Sequence, residues 1–315
     1  MTSDLPRRRF LTITAAFAAL PAMAHASAPV AEWRGAALGA GASLRLVGVD
    51  RREARGDFAA VEAELSRLED IFSLYRAGSA LSVLNRDGRL PAPPPEMLEL
   101  LSLAGAIHAS TNGAFDPTIQ PLWALYAETP GHAPDRAMLT AARARTGWSD
   151  VRIEPTEIAF AHPRMAMTLN GIAQGYITDR VAALLRGRGF SDVLVDMGEI
   201  AGLGRRADGG AWQVGVAAPD GRVIRRTTLK DRALATSSPM GTRIGDDGDV
   251  GHILDPRHGA PHALRDIVSV SADRAALADA LSTAFCIMDD KDVSAALLSH
   301  PAARLEALGP RVSVA

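Results

Sequence analysis

The feature that most constrains the fold lies in the middle of the chain, in the segment MTLNGIAQGYITDRVAALLRGRGF (residues 167–190). A short apolar stretch, which predicts a strand, leads into Asn170 and Gly171, and an amphipathic helix begins directly afterwards. A second glycine, Gly175, lies inside that helix. Glycines at a strand-to-helix turn often let the backbone approach a phosphate at the helix N-terminus. The spacing matches neither G-x-G-x-x-G nor the P-loop, so neither motif explains this elbow.

The rest of the chain mixes strands and helices without a regular βαβ repeat. Alternation predicts a strand in GASLRLVGVD, and helical spacing of apolar residues predicts a helix in RGDFAAVEAELSRLEDIFSLY. Further helices are predicted near 96–110, near 137–146 and in RAALADALSTAFCIM, and further strands in DVLVDMG, WQVGVA, ALATS, GHILDP and DIVSVSA. RAGSALSVLNRDGRLPAPPP is interpreted as a polar segment with turns, and TNGAFDPTIQPLWALY as a loop or short helical piece. The predicted fold class is α+β, a mixed, largely antiparallel sheet with packed helices.

The N-terminus predicts export. PRRRFLTITAAFAALPAMAHA combines an arginine cluster, an apolar run and a small-residue pattern that ends at Ala26. The pair Arg7-Arg8 fits a twin-arginine signal over residues 1–26, and a plain secretory signal or an uncleaved anchor are the alternatives. No other segment is predicted to span a bilayer. Residues 27–315 are therefore expected to form a soluble protein in the periplasm.

Charge and cysteine usage exclude several classes of protein. The chain has 34 basic and 36 acidic residues, which lacks the basic excess of a nucleic-acid-binding protein. Its only cysteine, Cys286, excludes an internal disulfide and a thiolate zinc cluster. The apolar neighbours of Cys286 predict a buried packing role.

One predicted helix face carries only oxygen-bearing side chains. In ADALSTA, Asp279, Ser282 and Thr283 lie at positions i, i+3 and i+4. Oxygen ligands suit Mg²⁺, which typically takes few protein ligands and keeps positions for water and phosphates. The alternative is a solvated aspartate with two hydroxyls bonded back to helix carbonyls.

Three further segments carry candidate residues. Asp116, which precedes a proline in AFDP, either points into a pocket or caps a turn. In GHILDPRHGAP, His252 could act as a base and Arg257 could contact a phosphate, although a polar turn explains both equally well. Tyr75 could stack on a planar ring or pack at a helix end.

Taken in order, YRAGSALSVLN, GAFDPT, LNGIAQGYITDRVAALL, LVDMGEIAGLG, ATSS, HILDPRHG and LADALSTA resemble the ApbE family, the FAD:protein FMN transferases. The similarity covers roughly residues 35–290, and GIAxGYxxDR and HILDPRxG are its most specific parts. It implies one ApbE-like catalytic unit over residues 27–315. It also implies a reaction in which FAD is split at its pyrophosphate, FMN passes to a threonine hydroxyl of a target flavoprotein, AMP is released and Mg²⁺ is required.

The resemblance also implies a set of site residues. Mg²⁺ would be held by Asp279, Thr283, an oxygen at Ser282 and the backbone carbonyl of Gly171. FAD would be contacted by Leu38, Tyr75, Ala114, Phe115, Asp116, Thr168, Gln174 and Ile253. Asp279 counts as catalytic through the metal, and His252 is the candidate base for the hydroxyl proton.

The elbow departs from the usual pattern of that family, Asp-Leu-Gly-Gly-Ile-Ala-Lys-Gly. Thr168 replaces the acid, Asn170 a glycine and Gln174 the lysine. Asparagine tolerates left-handed backbone angles, so Asn170 is expected to keep the turn. The sequence LNGIAQGY also resembles the branch linked to nitrous oxide reductase maturation, whose acceptor is a membrane-bound flavoprotein. An FAD pyrophosphatase that gives FMN and AMP, and a non-catalytic periplasmic FAD-binding assembly factor, are the alternative functions.

Overall fold

The computed structural model describes residues 28–129, 134–218, 221–244 and 250–310. The predicted signal peptide, residues 1–26, lies outside the described residues. Within them, no helix combines the length and the apolar character needed to cross a membrane.

The described chain combines short strands with longer helices in an irregular order. The helices are α1 (Arg55–Phe72), α2 (Ala80–Asp87), α3 (Pro95–Ser110), α4 (Gln120–Glu128), α5 (Arg136–Arg143), α6 (Ala173–Gly187), α7 (Ala275–Phe285) and α8 (Asp290–Ser299), with 3₁₀ turns at Pro117–Ile119 and Trp148–Asp150. The strands are β1 (Val30–Ala37), β2 (Ala40–Val47), β3 (Arg89–Pro91), β4 (Val151–Glu154), β5 (Glu157–Phe160), β6 (Val193–Asp196), β7 (Ile200–Leu203), β8 (Trp212–Ala217), β9 (Val223–Leu229), β10 (Arg232–Ser237), β11 (Arg243–Ile244), β12 (Val250–Gly251), β13 (Val268–Ala272) and β14 (Arg304–Leu308).

The principal sheet has seven strands in the order β1-β2-β6-β7-β10-β13-β14. Every neighbouring pair in it is antiparallel. Smaller antiparallel sheets join β3-β5-β4, β8-β9 and β11-β12. The α+β prediction with a largely antiparallel sheet is therefore confirmed, and the described strands include no parallel pair.

The central strands of the principal sheet are buried on both faces, as the burial of successive side chains shows. Val193 and Val195 of β6 belong to the large core that contains the helices, whereas Leu194 between them packs with Trp212 of the β8–β9 hairpin. Successive side chains of a strand point to opposite faces, so the helices cover one face and the hairpin the other. Helix α7 lies on the helical side, and every residue of it except Thr283 is buried.

The polar segment after α1 differs from its prediction, because it contains helix α2. The hydroxyl of Ser79 caps this helix by accepting the Ser82 N–H at 3.1 Å, and Leu81 and Leu84 are buried. The helix spans only eight residues, and the polar residues around Leu81 and Leu84 obscured their helical spacing.

The strand predicted before the elbow is wrong, and so is most of the strand predicted in GHILDP. Residues 165–169 are irregular because Asn85 takes the place of a strand partner: its amide bonds the N–H of Met167 at 2.7 Å and the carbonyl of Met167 at 2.8 Å. In GHILDP, regular pairing ends at Gly251, where β12 stops. The Asn85 amide makes the two backbone hydrogen bonds that a neighbouring strand would otherwise make, and the local sequence gives no sign of this contact.

Candidate active site

Helices α6 and α7 touch at Gly175. A Cβ at this position would lie 2.4 Å from the carbonyl oxygen of Ala275, so any larger residue would force the helices apart. The N–H of Gly175 also donates to Oδ2 of Asp279 at 3.0 Å. The second glycine of the elbow therefore serves the close approach of two helices rather than the approach of a phosphate.

Asp279 is buried at this helix contact, with 3% of its surface exposed. The alternative of a solvated aspartate is therefore wrong. Burial raises the pKa of its carboxyl to about 7, and the Gly175 N–H only partly offsets that effect. Among the described residues, no cationic side chain pairs with it.

A second buried carboxylate lies close by, on Glu199 of the LVDMGEIAG segment. Burial raises its pKa well above the usual range, and the charges of Asp279 and Asp196 raise it further. Glu199 was missed as a candidate site residue, although it stands in one of the segments that resemble the family.

The two hydroxyls of α7 have different surroundings. Ser282 donates to the carbonyl of Asp279 at 3.0 Å and bonds Ser237 at 2.7 Å, so its side chain follows the back-bonded alternative. Thr283 is partly exposed, and its Oγ1 lies 3.3 Å from the hydroxyl of Ser237. Ser237, the first serine of ATSS, was missed as a site residue; only its place in a family-like segment could have found it.

Gly171 brings the elbow against α7 and the AFD segment. A Cβ at Gly171 would lie 3.2 Å from Oγ1 of Thr283 and 3.5 Å from the ring of Phe115. The structure thus places together three parts of the chain that lie far apart in sequence. They are the elbow, the oxygen-bearing helix and the segment of Ala114 and Phe115.

This donor set fits a hard divalent cation. A carboxylate removed from water without a charged partner is costly unless a cation neutralises it. The described residues contain no cluster of three or more His, Cys, Asp or Glu side chains suited to a metal. The predicted set needs none, because Mg²⁺ accepts one carboxylate with hydroxyl and carbonyl oxygens and keeps several waters.

The AFD segment is fixed by its own hydrogen bonds. Ala114 and Phe115 are buried, and the carbonyl of Phe115 accepts from Nδ1 of His108 at 2.9 Å. Oδ1 of Asp116 accepts from the N–H and hydroxyl of Thr118 at 2.8 Å and 2.6 Å. Asp116 therefore caps the following 3₁₀ turn, as its alternative interpretation proposed.

Leu38 and Tyr75 form a separate group at the edge of the sheet. Leu38 and Gly39 join β1 to β2 with φ of 48° and 82°, a two-residue turn that rarely accepts leucine. The N–H of Leu38 donates to Glu69 at 2.9 Å, and Glu69 also pairs with Arg76, next to Tyr75. Tyr75 is 68% exposed, so the helix-end packing alternative is wrong and its ring is available to a ligand.

The substituted elbow positions lie near the surface. The N–H of Thr168 donates to the carbonyl of Pro117 at 2.8 Å, which ties the elbow to the AFD segment. The amide of Gln174 packs on Gly198, where a Cβ would lie 2.6 Å from its Nε2. Asn170 is exposed and lies in a turn, as expected, but its φ is not positive, so the turn does not use the left-handed conformation.

His252 is held by two backbone carbonyls. Its Nδ1 lies 3.0 Å from the carbonyl oxygen of Pro239 and 3.1 Å from that of Thr242. Because carbonyls only accept, Nδ1 carries the proton and Nε2 is left as the acceptor. Burial lowers the pKa of His252, which favours this neutral form. The next residue, Ile253, is buried.

Arg257 holds the loop that carries His252. Its guanidinium makes two bonds to the fully buried Asp255, at 2.9 Å and 2.8 Å, and donates to the carbonyl of Ile287 at 2.8 Å. His258 also bonds Asp255, at 2.9 Å. The hypothesis that Arg257 contacts a phosphate is replaced by a structural role. Cys286 is buried, as predicted.

The α+β fold of the described residues is similar to that of flavin transferases of known structure. The flavin transferase ApbE from Vibrio cholerae matches with a TM-score of 0.76 and 26% identity, over 86% of this chain and 90% of that one. The apo flavinyl transferase ApbE from Pseudomonas stutzeri matches with a TM-score of 0.74 and 28% identity, over 87% and 89%.

A model of the ApbE family matches residues 38–308, and the chain belongs to that family. The FAD:protein FMN transferase of Klebsiella pneumoniae (strain 342) is 30% identical over 78% of this chain and 75% of its own length. That of Treponema pallidum (strain Nichols) is 30% identical over 86% and 82%. The protein is therefore an enzyme.

Proposed function

We propose that this enzyme is an Mg²⁺-dependent FAD:protein FMN transferase that modifies a threonine hydroxyl of a target flavoprotein and releases AMP. The observation that carries the proposal is the burial of Asp279 without a cationic partner, on the helix whose Thr283 lies against Gly171 of the elbow. A pyrophosphate needs positive charge around it, and the described site offers oxygen ligands for a metal rather than a lysine or arginine.

The side chains of the site have separate roles in the proposed reaction. Asp279, Thr283 and the carbonyl of Gly171 hold Mg²⁺, which supplies positive charge at the FAD pyrophosphate when bound. Ser282 is predicted to be a metal ligand, but its hydroxyl bonds Ser237 and the carbonyl of Asp279, so we assign it an indirect role. Tyr75 offers an exposed ring for stacking.

His252 is suited to remove the proton of the acceptor hydroxyl. Its Nε2 is free to accept, and its lowered pKa keeps the imidazole neutral near pH 7. The threonine oxygen forms a bond to the phosphorus of the FMN half, and the bond from that phosphorus to the bridging oxygen breaks. AMP leaves with the electron pair, and the hydroxyl proton goes to His252.

The proposed setting is the periplasm, reached by the twin-arginine route. The arginine pair and the Ala24-His25-Ala26 pattern support it. The acceptor is a periplasm-facing flavoprotein, and the elbow LNGIAQGY favours the membrane-bound flavoprotein that serves nitrous oxide reductase.

The direct test incubates residues 27–315 with FAD, Mg²⁺ and a flavin-binding domain of a periplasm-facing electron-transfer protein. The acceptor is then examined by intact mass and by in-gel flavin fluorescence. A gain of one FMN that disappears in a Thr→Val acceptor supports the transferase. Free FMN and AMP without modified acceptor would instead identify a pyrophosphatase, and intact FAD with several acceptors a binding protein.

The metal assignment has its own test in Asp279→Ala. Removing the buried carboxylate should lower transfer by about 10³-fold or more, because the metal supplies several kcal/mol of charge stabilisation. Calorimetry should show the loss of Mg²⁺ binding at the same time. Asp208→Ala, at an exposed aspartate, is the control and should leave both unchanged. Wild-type transfer by Asp279→Ala would refute the assigned metal site.

A further inference from the structure

Helix α7, which carries the proposed metal ligands, lacks an N-terminal cap of its own. Its N-cap residue, Arg274, makes no side-chain capping bond, and the first turn contains no acidic residue. The first N–H groups of a helix have no partner within it and need one from elsewhere. Here the partner is Asp179 of α6, which accepts from the N–H of Ala275 at 2.7 Å and from that of Ala276 at 3.0 Å.

The cap acts together with a second contact one turn earlier on α6. Gly175 lies against the backbone of Ala275 and donates to Asp279, four residues further along α7. Residues four apart lie on one face of a helix, so Gly175 and Asp179 contact the same part of α7. The elbow that approaches Thr283 and the helix that carries Asp279 are therefore joined through one face of α6.

The composition of α7 increases the importance of the contacts that Gly175 and Asp179 make with it. Its sequence, AALADALSTAF, is rich in alanine, whose small side chains interdigitate little with neighbouring elements. Small side chains constrain the position of a helix less than large ones do, and directional polar bonds add to that constraint. The bonds from Asp179 to two successive N–H groups fix both the axial position and the rotation of the helix.

We propose that Asp179 is a positioning residue for the metal site: by capping α7 from the neighbouring helix, it sets where Asp279 and Thr283 stand relative to Gly171. The inference rests on the proposed function, because it concerns the same ligands. Asp179 is not itself one of the proposed ligands, because its two oxygens accept from the N–H groups of Ala275 and Ala276. Residues that orient metal ligands typically change metal affinity by about 10- to 100-fold when they are replaced.

A purely structural cap has a matched counterpart in the same chain. Asp289 caps α8 by accepting the N–H of Asp292 at 2.8 Å, and α8 carries none of the proposed site residues. Asp179→Ala and Asp289→Ala each remove an aspartate cap, and each should lower Tm by about 2 °C. Only Asp179→Ala should also disturb the metal.

The experiment measures Mg²⁺ binding by calorimetry and Tm by calorimetric unfolding, on residues 27–315. Asp179→Ala should weaken Mg²⁺ binding by about tenfold or more, whereas Asp289→Ala should stay within about twofold of wild type. Asp179→Asn keeps one acceptor oxygen and should fall between Asp179→Ala and wild type. At saturating Mg²⁺, kcat of Asp179→Ala should return to within about twofold of wild type, because the residue takes no part in the chemical step.

Wild-type Mg²⁺ affinity in Asp179→Ala, or equal weakening by Asp289→Ala, would overturn the inference. If Asp179→Ala does not fold, Asp179→Asn decides: wild-type Mg²⁺ affinity in that variant overturns the inference, and weakened affinity with folded protein supports it. Asp279→Ala separates the two proposals. If it binds Mg²⁺ like wild type, the proposed metal site fails; if it loses Mg²⁺ while Asp179→Ala retains it, only the positioning role fails.

Discussion

The elbow contains two kinds of position that behave differently. Its buried residues match the pattern of the ApbE family, whereas its departures fall at positions that are exposed or half-buried. The buried matches are Leu169, Ile172, Ala173 and Gly175, and the departures are Thr168, Asn170 and Gln174. At a buried position the side chain must fit the size and shape of all its neighbours, whereas at a surface position it contacts only the ligand and water. Family resemblance in this segment therefore reports packing first and ligand contacts second.

Tyr176, which follows Gly175 in the GYxxDR part of the pattern, shows how tightly the buried side is specified. Its ring packs edge-on against Phe72 with centroids 5.4 Å apart, and its hydroxyl donates to Glu99 at 2.8 Å. Glu99 also pairs with Arg274 at 3.1 Å, at the start of α7. One short motif thus connects α1, α3, α6 and α7.

The strongest test of this contrast is Gly175→Ala. The added Cβ would meet the backbone of Ala275 at 2.4 Å, and such overpacking costs about 1–3 kcal/mol of the free energy of unfolding. Separation of the helices should also weaken Mg²⁺ binding, since Gly175 donates to Asp279. Thermal unfolding and Mg²⁺ titration measure the two effects.

Gly187→Ala is the control for that variant, because it lies in the same helix and a Cβ there would meet nothing within 4 Å. Alanine is favoured over glycine in a helix by up to about 1 kcal/mol, so Gly187→Ala should be neutral or stabilising. Equal Tm values for Gly175→Ala and Gly187→Ala would show that the α6–α7 contact does not constrain the sequence.

A change at His252 should alter the reaction without altering the fold. His252→Gln keeps an N–H donor for the carbonyls of Pro239 and Thr242 but cannot take up a proton. Transfer should fall by about 10²- to 10⁴-fold, with Tm and Mg²⁺ binding unchanged. His162→Gln, at an exposed histidine, should transfer normally.

The pH profile gives an independent check on His252. Burial lowers its pKa from the ordinary value of 6.5, and the protonated ring cannot act as a base. In wild type at saturating Mg²⁺, which keeps Asp279 ionised, kcat/KM should rise with pH through a pKa below 6.5 and then level off, and His252→Gln should lose this limb. If the limb persists in His252→Gln, another group is the base.

The smallest structural effect is expected from restoring the charged pair at the surface positions. Thr168→Asp with Gln174→Lys should shift Tm by no more than about 2 °C, since substitutions outside the core usually change stability by less than about 0.5 kcal/mol. The KM for FAD should fall by about fivefold, because a hydrogen bond to a charged group contributes about 1 kcal/mol more binding free energy than one between neutral groups. A loss of stability as large as that of Gly175→Ala would erase the distinction between the two kinds of position.

Regular elements were predictable where a periodic pattern ran long enough. Helix α1 buries Phe58, Val61, Leu65 and Leu68 at the expected spacing, and α3 begins at a proline within one residue of its predicted start. Helix α2 and the irregular segment 165–169 were mispredicted for the opposite reason. Their conformations depend on single contacts, the cap of Ser79 and the amide of Asn85, that local periodicity does not encode.

The candidate site, like the fold, was predictable from the sequence only in part. The spacing of Asp279, Ser282 and Thr283 predicted one helix face with three oxygens, but only the structure separates the internally bonded Ser282 from the partly exposed Thr283. Glu199, Ser237 and Asp179 were missed as parts of the site, because their importance lies in what they touch across the fold.

The sequence by itself determined the fold class, the family and the oxygen character of the proposed metal site. Each of these depends on residue type and local spacing, which the chain displays directly. The tertiary structure alone decided that Asp279 is buried, that Gly175 serves a helix contact and that Asp179 caps a helix other than its own. Burial and capping across helices join residues about 100 positions apart in the chain, and local patterns carry no information about such distant partners.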